Sequence, residues 1–492
     1  MPQNMTFAEG YTVTMKILVA IANYGTKNAE HAKRLIAEYH TMSFDVDIVV
    51  VCEAPKGFGS GVTELVGLPA KDPWSLPFAH RKLFVENAAN YDLFIYTEDD
   101  TLIREDNIRA FLRASERLPE NLLPGFIRYE LYPDGSKNYP EIHGPFHWVP
   151  GSVTSFGEYV YADLSNDHSA CYMLTRQQLR RAVDSGGFSL APHSGRYDLL
   201  CTAATDPYTQ CGFSRVICLS HLPEFELHHL PNAYLNRTGL SEKDHRLQIG
   251  ALFDVVSKKR SNCELFVTEK PMATMGWDKD YYEPCSVDLL QLLPPSADRI
   301  LSVGCGSGDT EACLVERGKD VTAMPLDSVI GRLPERRGVR LLPPDFASAF
   351  EALGDERFDA ILLPNVLQHL RDVVNVLSRL GGYLKPQGVL VGSVPNLDPI
   401  RRLLGRLVVR NNKWSSVSGT FDDTALHFTS ARMLGGWLKA SGLHPLDTRF
   451  DTYIPIARLN GLRRRLPQGL VASNLVFAAG RLAEYSAGSF RK

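Results

Sequence analysis

Apolar and polar positions along this chain run twice through the same kind of alternation. From Met15, "KILVAIA" (16–22) is a continuous apolar run of strand length. It is followed by "NYGTKNAEHAKRLIAEYH" (23–40), whose apolar residues recur at helical spacing. "VDIVVVCE" (46–53) predicts a second buried strand. The stretch carrying Gly57, Gly59, Gly61, Pro69, Pro73 and Pro77 predicts a loop, and a helix is expected from about Phe78 to Ala89. "DLFIYTE" (92–98) is the next strand. Strand–helix–strand alternation of this kind implies a parallel α/β sheet. Residues 121–170 are turn-rich and aromatic and read as a surface that meets a ligand or partner. The first round closes near "FELHHLPNAYL" (225–235).

The charged stretch 241–279 contains one helical pattern, "SEKDHRLQIGALFDVVSKKR" (241–260). A second round follows with "DRILSVGCGSGD" (298–309), "KDVTAMPLD" (319–327), "GVRLLPPDF" (338–346), "FDAILLPNVLQHL" (358–370) and "GVLVGSVPN" (388–396). No repeat relates the two rounds. The expected organisation is two α/β domains, 15–240 and 280–492, joined by a connector over 241–279.

Length and composition narrow this further. At 492 residues two or three domains are expected. A formal charge of −3 argues against a dedicated nucleic-acid binder. Nine cysteines, scattered singly with no CxxC pair, argue against a disulfide framework or a zinc ribbon and favour a reducing, cytoplasmic setting. The first fourteen residues lack the pattern of a signal peptide, and no apolar run approaches the ~18 residues of a transmembrane helix. Peripheral contact with the cytoplasmic membrane stays open.

In the second round the strand of "ILSVGCGSGDTEACLVERG" (300–318) runs into Gly304, Gly306 and Gly308 and then a helix, a turn that lets backbone approach a ligand. Taken with "YYEPCSVDLLQLLPPSADRILSVGCGSGD", "FDAILLPNVLQHL", "LGGYLKPQGVLVGSVPN" and "DDTALHFTSARMLGGWLKASGL", in that order, the region 280–480 resembles class I S-adenosylmethionine-dependent methyltransferases. It looks most like members found with surface-polysaccharide genes. The resemblance implies a Rossmann-like fold. Gly304, Gly306, Ser307 and Gly308 would line the methionine and ribose part of S-adenosylmethionine. Asp345 and Phe346 would meet the adenine, and Asn365 the amino-acid end. Two positions depart from the family pattern. Pro325 stands where an acidic residue usually holds the ribose hydroxyls, leaving Asp327 as a substitute or merely a helix cap, and Gln368 replaces the usual Glu. His369 is a candidate general base for an oxygen acceptor, or a structural histidine.

In the first round, "YTEDDTLI" (96–103) crowds Glu98, Asp99 and Asp100 at the end of a buried strand, where α/β sheets bind ligands. A solvated turn would also accept such residues. The pattern resembles the D-x-D motif of GT-A glycosyltransferases, and "LPFAHRKLFVENAANYDLFIYTEDD" (76–100) and "NDHSACYMLTRQQLRRAV" (166–183) are similar to segments of such enzymes over about 15–240. The resemblance implies a nucleotide-sugar donor, a glycan or glycolipid acceptor, and a divalent metal (Mn or Mg). Asp100 would hold the metal with Glu98 and with a late histidine, His229 or else His228. Ala22, near the end of the first strand, would meet the nucleoside. Glu98 and Asp99 would contact or support the donor, and His80 and Arg81 would bind phosphate. Asp198, with Asp206 second, would be the acceptor-side base, although both suit helix caps. The function implied is a bifunctional enzyme transferring a sugar and methylating a sugar hydroxyl. The alternatives are an active glycosyltransferase with a non-catalytic methyltransferase-like scaffold, and a carbohydrate-binding first domain.

Overall fold

The computed structural model describes residues 15–140, 147–237, 239–266, 279–397, 420–451 and 472–481. The chain divides into two compact units, 1–249 and 250–492. The expected connector 241–279 spans that division. Its helical pattern forms the helix Glu242–Val256, and 267–278 lie outside the described residues.

Unit 1 is built on a five-stranded sheet. Its strands are β1 (Lys16–Asn23), β2 (Asp45–Cys52), β3 (Val62–Val66) and β4 (Leu93–Glu98), with a later strand beside β4. Next come β5 (Thr101–Leu102), β6 (Leu122–Pro124), β7 (Ile127–Leu131), β8 (Lys137–Tyr139), β9 (Thr154–Phe156) and β10 (Tyr159–Ala162). The unit ends with β11 (Cys171–Thr175), β12 (Ser214–Cys218), β13 (Glu226–His229) and β14 (Leu240–Ser241). The main sheet runs β11-β4-β1-β2-β3. β1 to β4 are mutually parallel and β11 is antiparallel to β4. Smaller sheets order as β6-β12-β10-β9 and β14-β8-β7-β13-β5. β3 lies inside the stretch expected to be a loop. Among the described residues the turn-rich region 121–170 holds five short strands, which sequence reading missed because alternation over so few residues is too brief to show as periodicity.

The main sheet has its core on both faces. β1 is buried from Ile17 to Asn23, and the helices Ala29–His40, Ala79–Glu86 and Arg176–Asp184 add Leu35, Phe84 and Leu179 to the same cluster. The chain builds outward from β1 through β2 to β3, then returns to the other side of β1 with β4. A strand order that reverses in this way leaves a crevice outside the carboxyl ends of β1 and β4.

Unit 2 repeats the logic with β15 (Arg299–Cys305), β16 (Asp320–Pro325), β17 (Arg340–Leu341), β18 (Phe358–Leu363), β19 (Leu384–Pro395), β20 (Leu443–Asp451) and β21 (Asn474–Arg481). Their order is β17-β16-β15-β18-β19-β21-β20. The first five are parallel, and β21 is antiparallel to both its neighbours. The reversal here falls between β15 and β18. Among the described residues no helix is long and apolar enough to cross a membrane.

Candidate functional site

In unit 2 the crevice at the ends of β15 and β18 is framed by the glycine turn. Gly304 has φ +85°, and a Cβ on it would meet Val366 at 2.8 Å. Gly306 is confined more tightly, since a Cβ there would lie 2.3 Å from the Tyr281 carbonyl oxygen, which accepts the Ser307 amide at 2.7 Å. Gly308 begins the helix Asp309–Glu316. Facing this turn, Asn365 follows β18 at φ +46° and donates its side-chain amide to Glu283 at 2.9 Å. Glu283 is also paired with Lys279 at 2.7 Å, and Lys279 is only 2% exposed. Sequence reasoning missed both, as they lie ahead of the first strand of this sheet.

Three polar atoms just past β18 are buried and have no hydrogen-bond partner among the described residues: Asn365 Oδ1, Gln368 Oε1 and His369 Nε2. Orphaned polar atoms are rare in folded interiors and point to a missing ligand. Beside them lies the Lys279–Glu283 pair, one charge of each sign, which matches a zwitterionic amino-acid end. At the other end of the crevice Asp345 caps the helix Phe346–Leu353 with one oxygen, on the Ser348 amide at 2.8 Å. Phe346 stacks on Phe350. The orphaned atoms and the charge pair fit the amino-acid end of S-adenosylmethionine, while Asp345 and Phe346 are engaged within their own helix.

The middle does not follow the expectation. Pro325 ends β16, and Asp327 does not replace the absent acid. Its Oδ1 accepts the Val329 and Ile330 amides, each at 2.7 Å, and the side chain is 1% exposed. Burial, with the Glu264 charge adding, pushes this carboxyl up to about 7. Asp327 is a turn cap, because two backbone amides left open by the chain reversal need an acceptor there. Glu264 forms an antiparallel bridge with Asp327 and brings a second carboxylate to this edge.

His369 also departs from its expected role. Its ring stacks on Phe266 at 4.9 Å, and burial, with the Lys279 charge, pushes its pKa down to about 3. An imidazole that weak stays neutral at physiological pH and is a poor store for a proton.

In unit 1 the corresponding crevice holds the acidic triplet. Asp99 is clasped by two amides, Asn23 at 2.7 Å and Asn28 at 2.7 Å. Asn28 also reaches Asp100 at 3.2 Å. Burial, then the neighbouring Asp100 charge, pushes Asp99 up to about 7. For Asp100 burial acts upward too, but the His229 hydrogen bond and charge, with Arg128, outweigh it and hold the carboxyl below its ordinary value. His229 Nε2 lies 3.5 Å from Asp100, and its Nδ1 is 2.7 Å from Glu130. Burial alone would lower the His229 pKa, yet the two carboxylates raise it. His228, next to it, stacks on Tyr129 and bonds Asn232 instead. Glu98 faces His168 at 3.5 Å. Ala22 sits opposite Glu98 in the β1–β4 register.

The structure thus brings Ala22, Glu98, Asp99, Asp100 and His229 together, and adds Asn23, Asn28, Glu130 and His168. The expected metal ligands Glu98, Asp100 and His229 are thus neighbours, with His229 Nε2 3.5 Å from Asp100. Both Asp99 oxygens are taken by amides, and among the described residues no group of three or more His, Cys, Asp or Glu side chains is disposed to hold an ion.

His80 and Arg81 do not reach this crevice. His80 is fully buried, bonded to the Pro77 carbonyl and the Tyr172 hydroxyl and stacked on Tyr96. Arg81 is buried against Asp206, with its guanidinium over the Phe78 ring. A buried cation must find an anion. Here the partner is Asp206, which removes that residue as an acceptor-side base. Asp198 caps the helix Leu199–Thr209 through the Cys201 amide at 2.9 Å, and it lies close enough to His168 to act on its charge.

With this geometry in view, comparison with known proteins is informative for unit 2. The methyltransferase domain family matches residues 277–448. A ubiquinone biosynthesis O-methyltransferase of Azotobacter vinelandii is 31% identical over 168 residues, 32% of this chain and 70% of that protein. A trans-aconitate 2-methyltransferase of Methylobacterium radiotolerans is 34% identical over 154 residues, 30% of this chain and 57% of that protein. Among solved structures, an S-adenosylmethionine dependent methyltransferase from Mesorhizobium loti covers 39% of this chain and 95% of its own, at 18% identity and a TM-score of 0.30. A glycine turn, a crevice that suits the amino-acid end of the cofactor, and a relative matched over more than two thirds of its length agree: through its second unit, this chain belongs to the S-adenosylmethionine-dependent methyltransferase family.

Proposed function

We propose that unit 2 transfers a methyl group from S-adenosylmethionine to an acceptor oxygen, and that this oxygen is a sugar hydroxyl of a surface glycan or glycolipid. The three unpartnered polar atoms after β18, beside the Lys279–Glu283 pair, carry the reading. The bound cofactor supplies an electrophilic methyl on its sulfonium centre. Lys279 and Glu283 match the carboxylate and ammonium of its amino-acid end, and the glycine turn lets its chain approach the backbone. His369 Nε2 is suited to orient the acceptor hydroxyl by accepting its hydrogen bond, while its low pKa means that it does not retain the proton, which passes on to water. The O-methyltransferase among the relatives favours an oxygen acceptor. Calorimetric titration of the full chain with S-adenosylmethionine tests the reading, followed by radiolabelled methyl transfer to bacterial glycans. No binding heat at millimolar cofactor would leave a scaffold and overturn it.

The acidic triplet favours a second reading for unit 1. Under it, this unit is a GT-A-like transferase that binds a nucleotide sugar where β1 and β4 end and passes the sugar to the glycan that unit 2 methylates. Asp198 is its acceptor-side carboxylate, and both reactions run in the cytoplasm. A screen of nucleotide sugars for protection against thermal unfolding, with manganese, magnesium or chelator, tests this. A flat response to every donor under all three conditions would refute it.

A further inference from the structure

Behind the acidic triplet, unit 1 holds a cleft lined by Phe126, Tyr139 and Leu164 on its apolar walls and by Arg128, His168 and Arg215 on its polar ones. Arg128 is on β7 and is 8% exposed. Its guanidinium makes one protein hydrogen bond, from Nη2 to His168 Nδ1 at 3.2 Å. Among the described residues no carboxylate is within ion-pair distance of it. Among the described residues the remaining N–H groups of its five-donor fork therefore have no acceptor. Arg215, 1% exposed, is different. It donates to the Phe126 and Asn166 carbonyls and faces Asp167 at 3.8 Å, a carboxylate that it shares with Arg196, while its Nε keeps no hydrogen-bond partner among the described residues. His168 accepts from Arg128 with one nitrogen and turns the other toward Glu98, which separates the cleft from the triplet by one neutral ring.

A buried guanidinium without a counter-charge is costly, and its planar fork is shaped for an oxyanion. Asp167 is shared between Arg196 at 3.2 Å and Arg215 at 3.8 Å, so the Arg128 and Arg215 side of the cleft is positive. The acidic triplet beyond His168 repels a highly charged anion, which favours a singly charged group over a dianion. We propose that this cleft is an oxyanion site, in which Arg128 takes a carboxylate or phosphodiester group of a ligand. The assignment stands whether or not unit 1 transfers sugars.

The test uses the full chain with acetate or dimethyl phosphate as probes, against chloride at constant ionic strength. One readout is thermal unfolding. The other is modification of arginines by phenylglyoxal, read by peptide mapping. One or both probes should protect Arg128 saturably and raise the unfolding temperature of unit 1. Protection by acetate alone assigns a carboxylate, and protection by dimethyl phosphate alone assigns a phosphodiester. Arg128→Gln should raise the half-saturating concentration at least tenfold, while the exposed control Lys82→Gln leaves it unchanged. Absence of protection by either probe, or an undiminished response in Arg128→Gln, overturns the proposal. Should the variant fail to fold, protection of Arg128 in the unaltered chain decides alone.

Discussion

Asp327→Asn separates a turn cap from a ribose ligand. Asparagine keeps the Oδ1 acceptor for the Val329 and Ile330 amides and removes only the charge. In the folded chain the carboxyl sits at about 7 instead of 3.8. At roughly 1.4 kcal/mol per pH unit, its ionised form is disfavoured on the order of 2–4 kcal/mol once relaxation is allowed for. Because the folded-state value is raised, the stability linked to this proton is complete below about pH 4 and is lost as pH climbs through about 7. Asp327→Asn should therefore match the parent at pH 4 and exceed it by on the order of 2–4 kcal/mol at pH 8. Hydrogen exchange of β15 and β16 amides, read by mass spectrometry, reports on unit 2 without interference from unit 1. Binding of S-adenosylmethionine should be unchanged. Identical pH profiles for the two proteins would refute the buried-carboxyl argument, and a marked loss of cofactor affinity would return Asp327 to the ribose.

Three other outcomes follow from the geometry. Gly306→Ala puts a Cβ against the Tyr281 carbonyl, so unit 2 should lose about 1–3 kcal/mol and cofactor binding should vanish; normal calorimetric binding would contradict this. Arg81→Met strands the buried Asp206 carboxylate and should cost about 3–5 kcal/mol in chemical denaturation, with Arg81→Met/Asp206→Leu recovering most of it; an unchanged midpoint for the single variant would argue against the pair. Asp100→Asn removes the larger carboxylate influence on His229, whose NMR titration should move to lower pH, and a stationary titration would mean that the two side chains are not coupled.

The sequence was most legible where one short stretch carries its own constraint. The turn at 304–308 could be read because a strand that must turn tightly into a helix demands glycine, and Glu98–Asp99–Asp100 because three carboxylates after an apolar run have no place in a core. It was least legible where charge balance is settled over long distances. Arg81 has the spacing of an ordinary helix surface, and its burial is decided by Asp206, 125 residues away. Arg128, Glu130 and His168 gave no local signal, since they come from a short strand and a loop that meet only in the fold. Asp327 suited both a cap and a ligand on sequence grounds. Which one it serves depends on the Val329 and Ile330 amides, whose orientation only the backbone reveals.

The segment before the second glycine-turn sheet has a consequence for where this protein can be cut. The matched family region begins at 277, yet Cys263 and Leu265 exchange backbone hydrogen bonds with Ser328 and Leu326, and Phe266 covers the His369 ring. The inherited domain and the folding domain thus have different edges. A fragment begun at 280, where the expected second domain starts, leaves the Leu326 carbonyl and the Ser328 amide without these partners and opens an aromatic face to water beside the crevice. A fragment begun near 250 keeps that hem sewn.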